Sequence, residues 1–186
     1  RFACGLAILV VMFSWRGNPF NGHNLKLLVI RGITGTCAFL ALVIAIRSIP
    51  ISTTMVIFYS FPAFAAFFSP LIFKESITWT EILCIFVALI GVAVLFDFQL
   101  QGALLGQVAA LVGGIFAGLT VSIIKELREK NGPVVIYVYF CLMGTLISFP
   151  AFVANPQIPR VTVEWLMLGG IVCLSLIAQL LMNQGF

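Results

Sequence analysis

Five polar residues that could bind a ligand lie within the apolar stretches of this chain: Arg31, Tyr59, Ser60, Gln179 and Asn183. An arginine inside an apolar stretch costs roughly 2.5 to 3.5 kcal/mol on membrane-insertion scales and needs a partner, so Arg31 could face a cavity and bind an anionic substrate group. Hydroxyl and amide groups could bind the other polar atoms of a substrate. We therefore predict these five as substrate-binding residues.

For three of these residues the sequence also allows a role other than substrate binding. At 1.5 Å per residue Arg31 lies about 9 Å from Leu25, so its side chain could instead snorkel to the membrane surface. Gln179 and Asn183 are four residues apart and share one helix face. There they could form either a polar cavity wall or a seam of interhelical hydrogen bonds.

Residues for catalysis or metal binding are scarce. The only histidine, His23, and the only aspartate, Asp97, lie near the ends of apolar stretches. Neither a metal cluster, an aspartyl dyad nor a histidine-based triad can be assembled from them. We predict no enzyme activity, no catalytic residue, no metal and no cofactor. Five cysteines without metal-ligand spacing are predicted to be buried thiols: Cys4, Cys37, Cys84, Cys141 and Cys173.

The composition indicates an integral membrane protein. Hydrophobic residues make up 62 % of the chain and charged residues 9 %, against about 45 to 50 % and about 25 % in soluble domains. Such a chain cannot hide its apolar surface in one aqueous core, so its surroundings are a lipid bilayer. The net charge of +4 is explained by topology and anionic headgroups, and nucleic acid is not a predicted partner.

Seven apolar runs predict a bundle of membrane-spanning helices. Most approach the ~20 residues that a bilayer requires, and none shows the alternation of a membrane β-barrel. The fold class is therefore all-α. The runs are Phe2 to Trp15, Leu25 to Ile46, Ile51 to Phe73, Trp79 to Phe96, Leu104 to Ile124, Val134 to Val153 and Trp165 to Phe186.

The run from Ile51 to Phe73 is predicted to be a broken helix. Pro62 and Pro70 lie inside it and cannot donate to the carbonyl groups four residues earlier. In a membrane bundle, neighbouring helices can satisfy such carbonyl groups. We expect an opening near Phe58, with Tyr59 and Ser60 facing the bundle interior.

Charges at the ends of the runs orient the chain. If the spans alternate in direction, six basic residues lie on one side and three on the other. The positive-inside rule then places the side with six basic residues in the cytoplasm. The chain start is therefore expected outside and Phe186 in the cytoplasm. The six are Arg16, Lys26, Lys74, Lys125, Arg128 and Lys130, and the three are Arg1, Arg47 and Arg160.

A weak internal repeat is consistent with this topology. When the sequence is aligned with a shifted copy of itself, a single shift pairs residues 28–33 with residues 166–171 and Phe2 with Phe140. The matched spans cross the membrane in opposite directions, which predicts the inverted repeat of many secondary transporters. We predict five-span repeats at residues 1–96, without its first span, and 97–186, without its last two. The bundle is thus expected to be incomplete at both ends.

Proline, glycine and a few polar residues recur at positions typical of a known type of membrane protein: Ile49-Pro50, Pro62, Lys74-Glu75, Gly91, Gly106, Ala110, Gly114, Gly118, Gly170 and Gln179. Through these residues the chain resembles the EamA type of the drug/metabolite transporter superfamily. It departs from such sequences at Cys84, where they often have glycine. The resemblance implies ten spans in two inverted halves and transport of small metabolites across the inner membrane. We expect Pro62, Pro70, Gly91, Gly114 and Gly118 to serve structure.

These observations predict a secondary transporter of the cell inner membrane that moves a small molecule by alternating access, with export as one possible direction. The alternatives are a nucleotide-sugar or sugar-phosphate carrier and, from a different class, a seven-helix receptor. The oligomeric state is open, a homodimer included. The carboxylates of this chain all lie at span ends or in loops: Glu75, Glu81, Asp97, Glu126, Glu129 and Glu164. Facilitative transport or exchange without proton coupling is therefore expected, unless the missing spans supply a carboxylate.

Overall fold

A computed structural model describes residues 2–13, 20, 22–73, 78–95, 104–154, 156 and 161–185. These residues form α-helices joined by short connections. In chain order the helices are α1 (Phe2–Phe13), α2 (Leu25–Ser48), α3 (Ile51–Phe58), α4 (Phe61–Phe73), α5 (Trp79–Leu95), α6 (Leu104–Arg128), α7 (Pro133–Ala154) and α8 (Thr162–Gly185).

The predicted fold class is confirmed as an all-α membrane bundle. Each helix lies on one of the seven apolar runs, and α3 and α4 together occupy the run predicted to be broken. Among the described residues, five segments are long and apolar enough to cross a membrane, and Phe2–Val11 is a shorter apolar helix. The inverted repeat, with its division into residues 1–96 and 97–186, stays a prediction.

The predicted opening of the third span is confirmed. Helix α3 ends at Phe58, Tyr59 and Ser60 form a turn, and α4 begins at Phe61. Pro62 has no N–H group for the Phe58 carbonyl, so the ladder of i to i−4 bonds breaks there. The Ser60 hydroxyl donates to the Ile57 carbonyl at 2.7 Å, which satisfies one acceptor at the break. The other predicted breaker, Pro70, lies inside α4 without ending it.

The chain forms two compact units, of residues 1–33 with 127–186 and of residues 34–126. In the first unit α7 packs against α1 and α8, and the start of α2 packs against α7. Gly32 allows that last approach, because a Cβ there would lie 2.9 Å from the Tyr139 carbonyl oxygen. In the second unit α5 packs against α3 and α4.

Helix α6 contacts α2, α3 and α4 through a stripe of small residues at intervals of four. A Cβ at Gly106 would lie 2.8 Å from Ser48, and Ala110 is buried with Ala45 and Ile57. Gly114 and Gly118 face the broken span. The stripe therefore lets α6 lie close to α2, α3 and α4.

The cysteine prediction is partly wrong. Cys141 is buried and Cys37 half-buried, whereas Cys4, Cys84 and Cys173 lie on exposed helix faces. A thiol behaves as a small apolar group, so a cysteine facing lipid is not penalised in the way that a polar residue is.

The topology can be tested at the turn between α6 and α7. Lys130 is exposed there, while the next residue, Asn131, is buried and hydrogen-bonded. On a cysteine-free full-length background, Lys130→Cys should be shielded from an impermeant thiol reagent in intact cells and labelled after lysis. The control is Arg47→Cys, in the last turn of α2. The predicted topology places this residue outside, so it should be labelled in intact cells. The reverse pattern would invert the topology.

Candidate functional site

Arg31 is enclosed by the first unit. Its side chain is 1 % exposed, so the snorkelling alternative is wrong. The residue after it is Gly32, which brings α7 close enough to cover the guanidinium. The guanidinium is therefore enclosed by protein and does not extend to the surface of the unit.

Helices α7 and α8 both contact Arg31. Its Nη2 donates to Gln179 Oε1 at 3.2 Å, and its Cζ lies 4.4 Å from the centroid of the Phe140 ring. A guanidinium over an aromatic face gains electrostatic attraction, which grows when the pair is shielded from water. The Phe140 ring is held in turn by Phe2, edge-on at 5.3 Å, and by Tyr137 at 5.8 Å. The aromatic cluster thus fixes the position of the cation.

Asn183 lies one turn beyond Gln179 on α8 and is 0 % exposed. Its Nδ2 donates to the Pro133 carbonyl at 3.2 Å, which joins the end of α8 to the start of α7. Both amides therefore bond to another helix, as the seam alternative requires. Since an arginine only donates and a carbonyl only accepts, these contacts also fix which end of each amide is oxygen.

The structure brings Arg31 and Gln179 into contact. In the second unit Ser60 is buried, as expected, whereas Tyr59 is 63 % exposed. The expectation that Tyr59 faces the bundle interior is therefore wrong, because the turn after Phe58 directs its ring to the surface of the unit. The Tyr59 ring makes aromatic contacts with Phe58 and Phe61, at centroid distances of 6.2 and 6.1 Å. A role for Tyr59 and Ser60 in a cavity stays a prediction.

The break between α3 and α4 is covered by α6. A Cβ at Gly114 would lie 3.2 Å from the Phe58 carbonyl oxygen, the acceptor that Pro62 leaves without an N–H donor, and 3.3 Å from Ser60 Oγ. Two turns further on, the Ser122 hydroxyl donates to the Ala65 carbonyl at 3.0 Å. Gly114 therefore allows α6 to lie against the break, and Ser122 bonds α6 to the backbone of α4. Nothing among the described residues lies within 4 Å of a Cβ at Gly91.

The sequence interpretation missed three residues. Phe140 has no polar group to mark it, although the weak repeat paired it with Phe2. Ser122 continues the spacing of four from Gly118 and could have been found by extending that stripe. Asn131 had no sequence signal, and it accepts from the His23 amide at 2.7 Å and donates to the His23 carbonyl at 3.1 Å. His23 itself is exposed.

Acidic residues and metal ligands add little to the site. No group of three or more histidine, cysteine, aspartate or glutamate residues that could hold a metal ion occurs in the described part of the chain. The predicted pair Lys74-Glu75 and Asp97 lie outside the described residues. Glu164 is exposed at the start of α8.

Comparisons with known proteins identify relatives of the chain. An uncharacterized transporter of Helicobacter pylori strain J99 is 25 % identical over 176 residues, which cover 89 % of this chain and 59 % of that protein. A protein of the same description in a second Helicobacter pylori strain is 25 % identical over 178 residues, with the same coverages. An uncharacterized membrane protein of Saccharomyces cerevisiae is 24 % identical over 184 residues, or 86 % of this chain and 44 % of that protein. No solved structure matches.

The chain spans 59 % of the length of the bacterial relatives that it matches. The family model of the EamA-like transporter family matches residues 1–97, which is more than half of the chain. The resemblance noted in the sequence is thereby confirmed. This multi-pass membrane protein belongs to the EamA-like transporter family.

Proposed function

We propose that the full-length protein is a secondary transporter, and no enzyme, that moves a small metabolite across the cell inner membrane by alternating access. Family membership and relatives described as transporters support this proposal. The observation that carries it is the burial of Arg31 between α7 and α8. A charge kept inside a span is expensive and commonly marks a substrate pathway.

The substrate contributes an anionic group that binds Arg31. A carboxylate forms charge-assisted, bidentate bonds with a guanidinium, and these are roughly twice as strong as a bond between neutral groups. The substrate therefore replaces the neutral Gln179 oxygen as the partner of Arg31. Because the Arg31–Gln179 bond joins α2 to α8, its exchange lowers the barrier to movement of these helices.

A phosphate group would suit Arg31 as well as a carboxylate does, because the guanidinium fork matches both. This keeps a nucleotide-sugar or sugar-phosphate carrier as the second candidate. The seven-helix receptor is not proposed, because the family is one of transporters.

A metabolite panel tests the proposal. Cells with and without the full-length protein are compared by mass spectrometry of extracts and medium. At least one small anionic metabolite should change its distribution between cells and medium, and the direction of change gives export or import. If no member of a panel of organic acids and sugar phosphates responds, the transport proposal fails.

We expect transport that is facilitative or by exchange, without proton coupling. Of the acidic residues, Glu126 and Glu129 lie at the end of α6 and Glu164 at the start of α8, far from a bilayer centre. A pH gradient imposed on proteoliposomes of the full-length protein, without a substrate gradient, should drive no accumulation. Uphill accumulation that collapses with a protonophore would contradict this expectation and direct attention to Glu75.

A further inference from the structure

Asn183 carries a buried acceptor that the described contacts do not use. Its Nδ2 donates to Pro133, while its Oδ1 is buried without a hydrogen-bond partner among the described residues. Rotating the amide would place the oxygen against a carbonyl that cannot donate, so the orientation is fixed. A buried acceptor left unpaired costs about 1 to 3 kcal/mol. A donor supplied by a ligand would remove this cost.

Asn183 lies one helical turn from a residue that binds Arg31. Gln179 accepts from Arg31, and Asn183 follows four residues later on the same helix face. Side chains at this spacing have Cβ atoms about 5 to 6 Å apart, and a hydrogen bond spans about 3 Å. One small molecule can therefore bond to Arg31 at one end and to Asn183 Oδ1 a few covalent bonds away.

We propose that Asn183 determines specificity by accepting a hydrogen bond from a hydroxyl or N–H group of the substrate. The substrate class is then a small organic anion that carries such a donor a few bonds from its acidic group. This inference rests on the proposed binding of the anionic group by Arg31. An anion without the donor would bind Arg31 but leave Asn183 Oδ1 unpaired, and it would bind more weakly.

Lactate and propionate form a matched pair of probes, since both have a carboxylate and only lactate has the adjacent hydroxyl. The thermal stability of the purified full-length protein is measured against the concentration of each acid, which gives an apparent Kd. We expect a Kd for lactate that is about two- to tenfold lower than for propionate, as one hydrogen bond allows. Asn183→Leu should make the two values equal.

Gln184→Leu is the control, because Gln184 is an exposed amide next to Asn183 and its loss should keep the preference for lactate. Asn183→Ala replaces the leucine variant if that variant does not fold. Equal Kd values in the unsubstituted protein, or a preference that persists in both Asn183 variants, would overturn the inference and leave the role of Arg31 intact. Absence of stabilisation by either acid would overturn both assignments, whereas the metabolite panel separately decides whether the protein transports.

Discussion

Arg31→Gln should lower the rate of substrate transport by roughly tenfold to a hundredfold, since a hydrogen bond to a charged group contributes about 1.5 to 3 kcal/mol. Glutamine is polar, but it has neither the charge nor the two parallel N–H groups that bind an anion. Arg31→Lys keeps the charge and loses the fork. Its transport rate should fall between those of Arg31→Gln and the unsubstituted protein.

Arg47→Gln is the matched control for this prediction. Arg47 is an arginine on the same helix, but it is exposed in the last turn of α2. Its loss should leave the rate within about twofold, because exposed charges contribute little. Uptake of the metabolite found in the panel is measured with variants matched for the amount of protein in the membrane. Equal rates for Arg31→Gln and Arg47→Gln would contradict a binding role for Arg31.

Gly118→Ala should destabilise the protein by about 1 to 3 kcal/mol, as overpacking of a close-packed interior does. The new Cβ would lie 2.6 Å from Phe64 Cβ and 2.8 Å from both the Ala65 nitrogen and the Phe61 carbonyl oxygen. Two of these three atoms belong to the backbone and cannot move aside as a flexible side chain can. The apparent Tm in detergent should fall by several degrees as α6 separates from α4.

Gly169→Ala is the control for Gly118→Ala. Gly169 is also within a helix, but no described atom lies within 4 Å of its added Cβ. Alanine favours helix more than glycine does, by about 1 kcal/mol, so the Tm should stay unchanged or rise. A Gly118→Ala protein as stable as the Gly169→Ala protein would show that α6 does not depend on the close approach at Gly118.

The helices were predictable because their signal is local. Apolar runs of spanning length, interrupted by charge or proline, gave α2, α6, α7 and α8 to within four residues at each end. Pro62 located the break of the third span, because a proline removes a specific backbone donor. Pro70 did not end α4, which shows that one missing donor alone does not decide whether a membrane helix opens.

The site was predictable only in part because it depends on contacts between distant residues. Arg31 and Gln179 are 148 positions apart, and the spacing from Leu25 to Arg31 suggested snorkelling equally well. What encloses Arg31 is the close approach at Gly32 and the ring of Phe140, and neither residue has a polar group that marks a site. Tyr59 and Ser60 are neighbours in sequence, yet only Ser60 is buried.

Counterflow through the purified full-length protein tests the central claim most directly. Proteoliposomes are loaded with the unlabelled anionic metabolite found in the panel, and trace labelled metabolite is added outside. An exchanging transporter with Arg31 in its binding site should accumulate label transiently, and Arg31→Gln should greatly lower and slow that overshoot. Absence of an overshoot in the unsubstituted protein, or an equal overshoot in Arg31→Gln, would contradict the account.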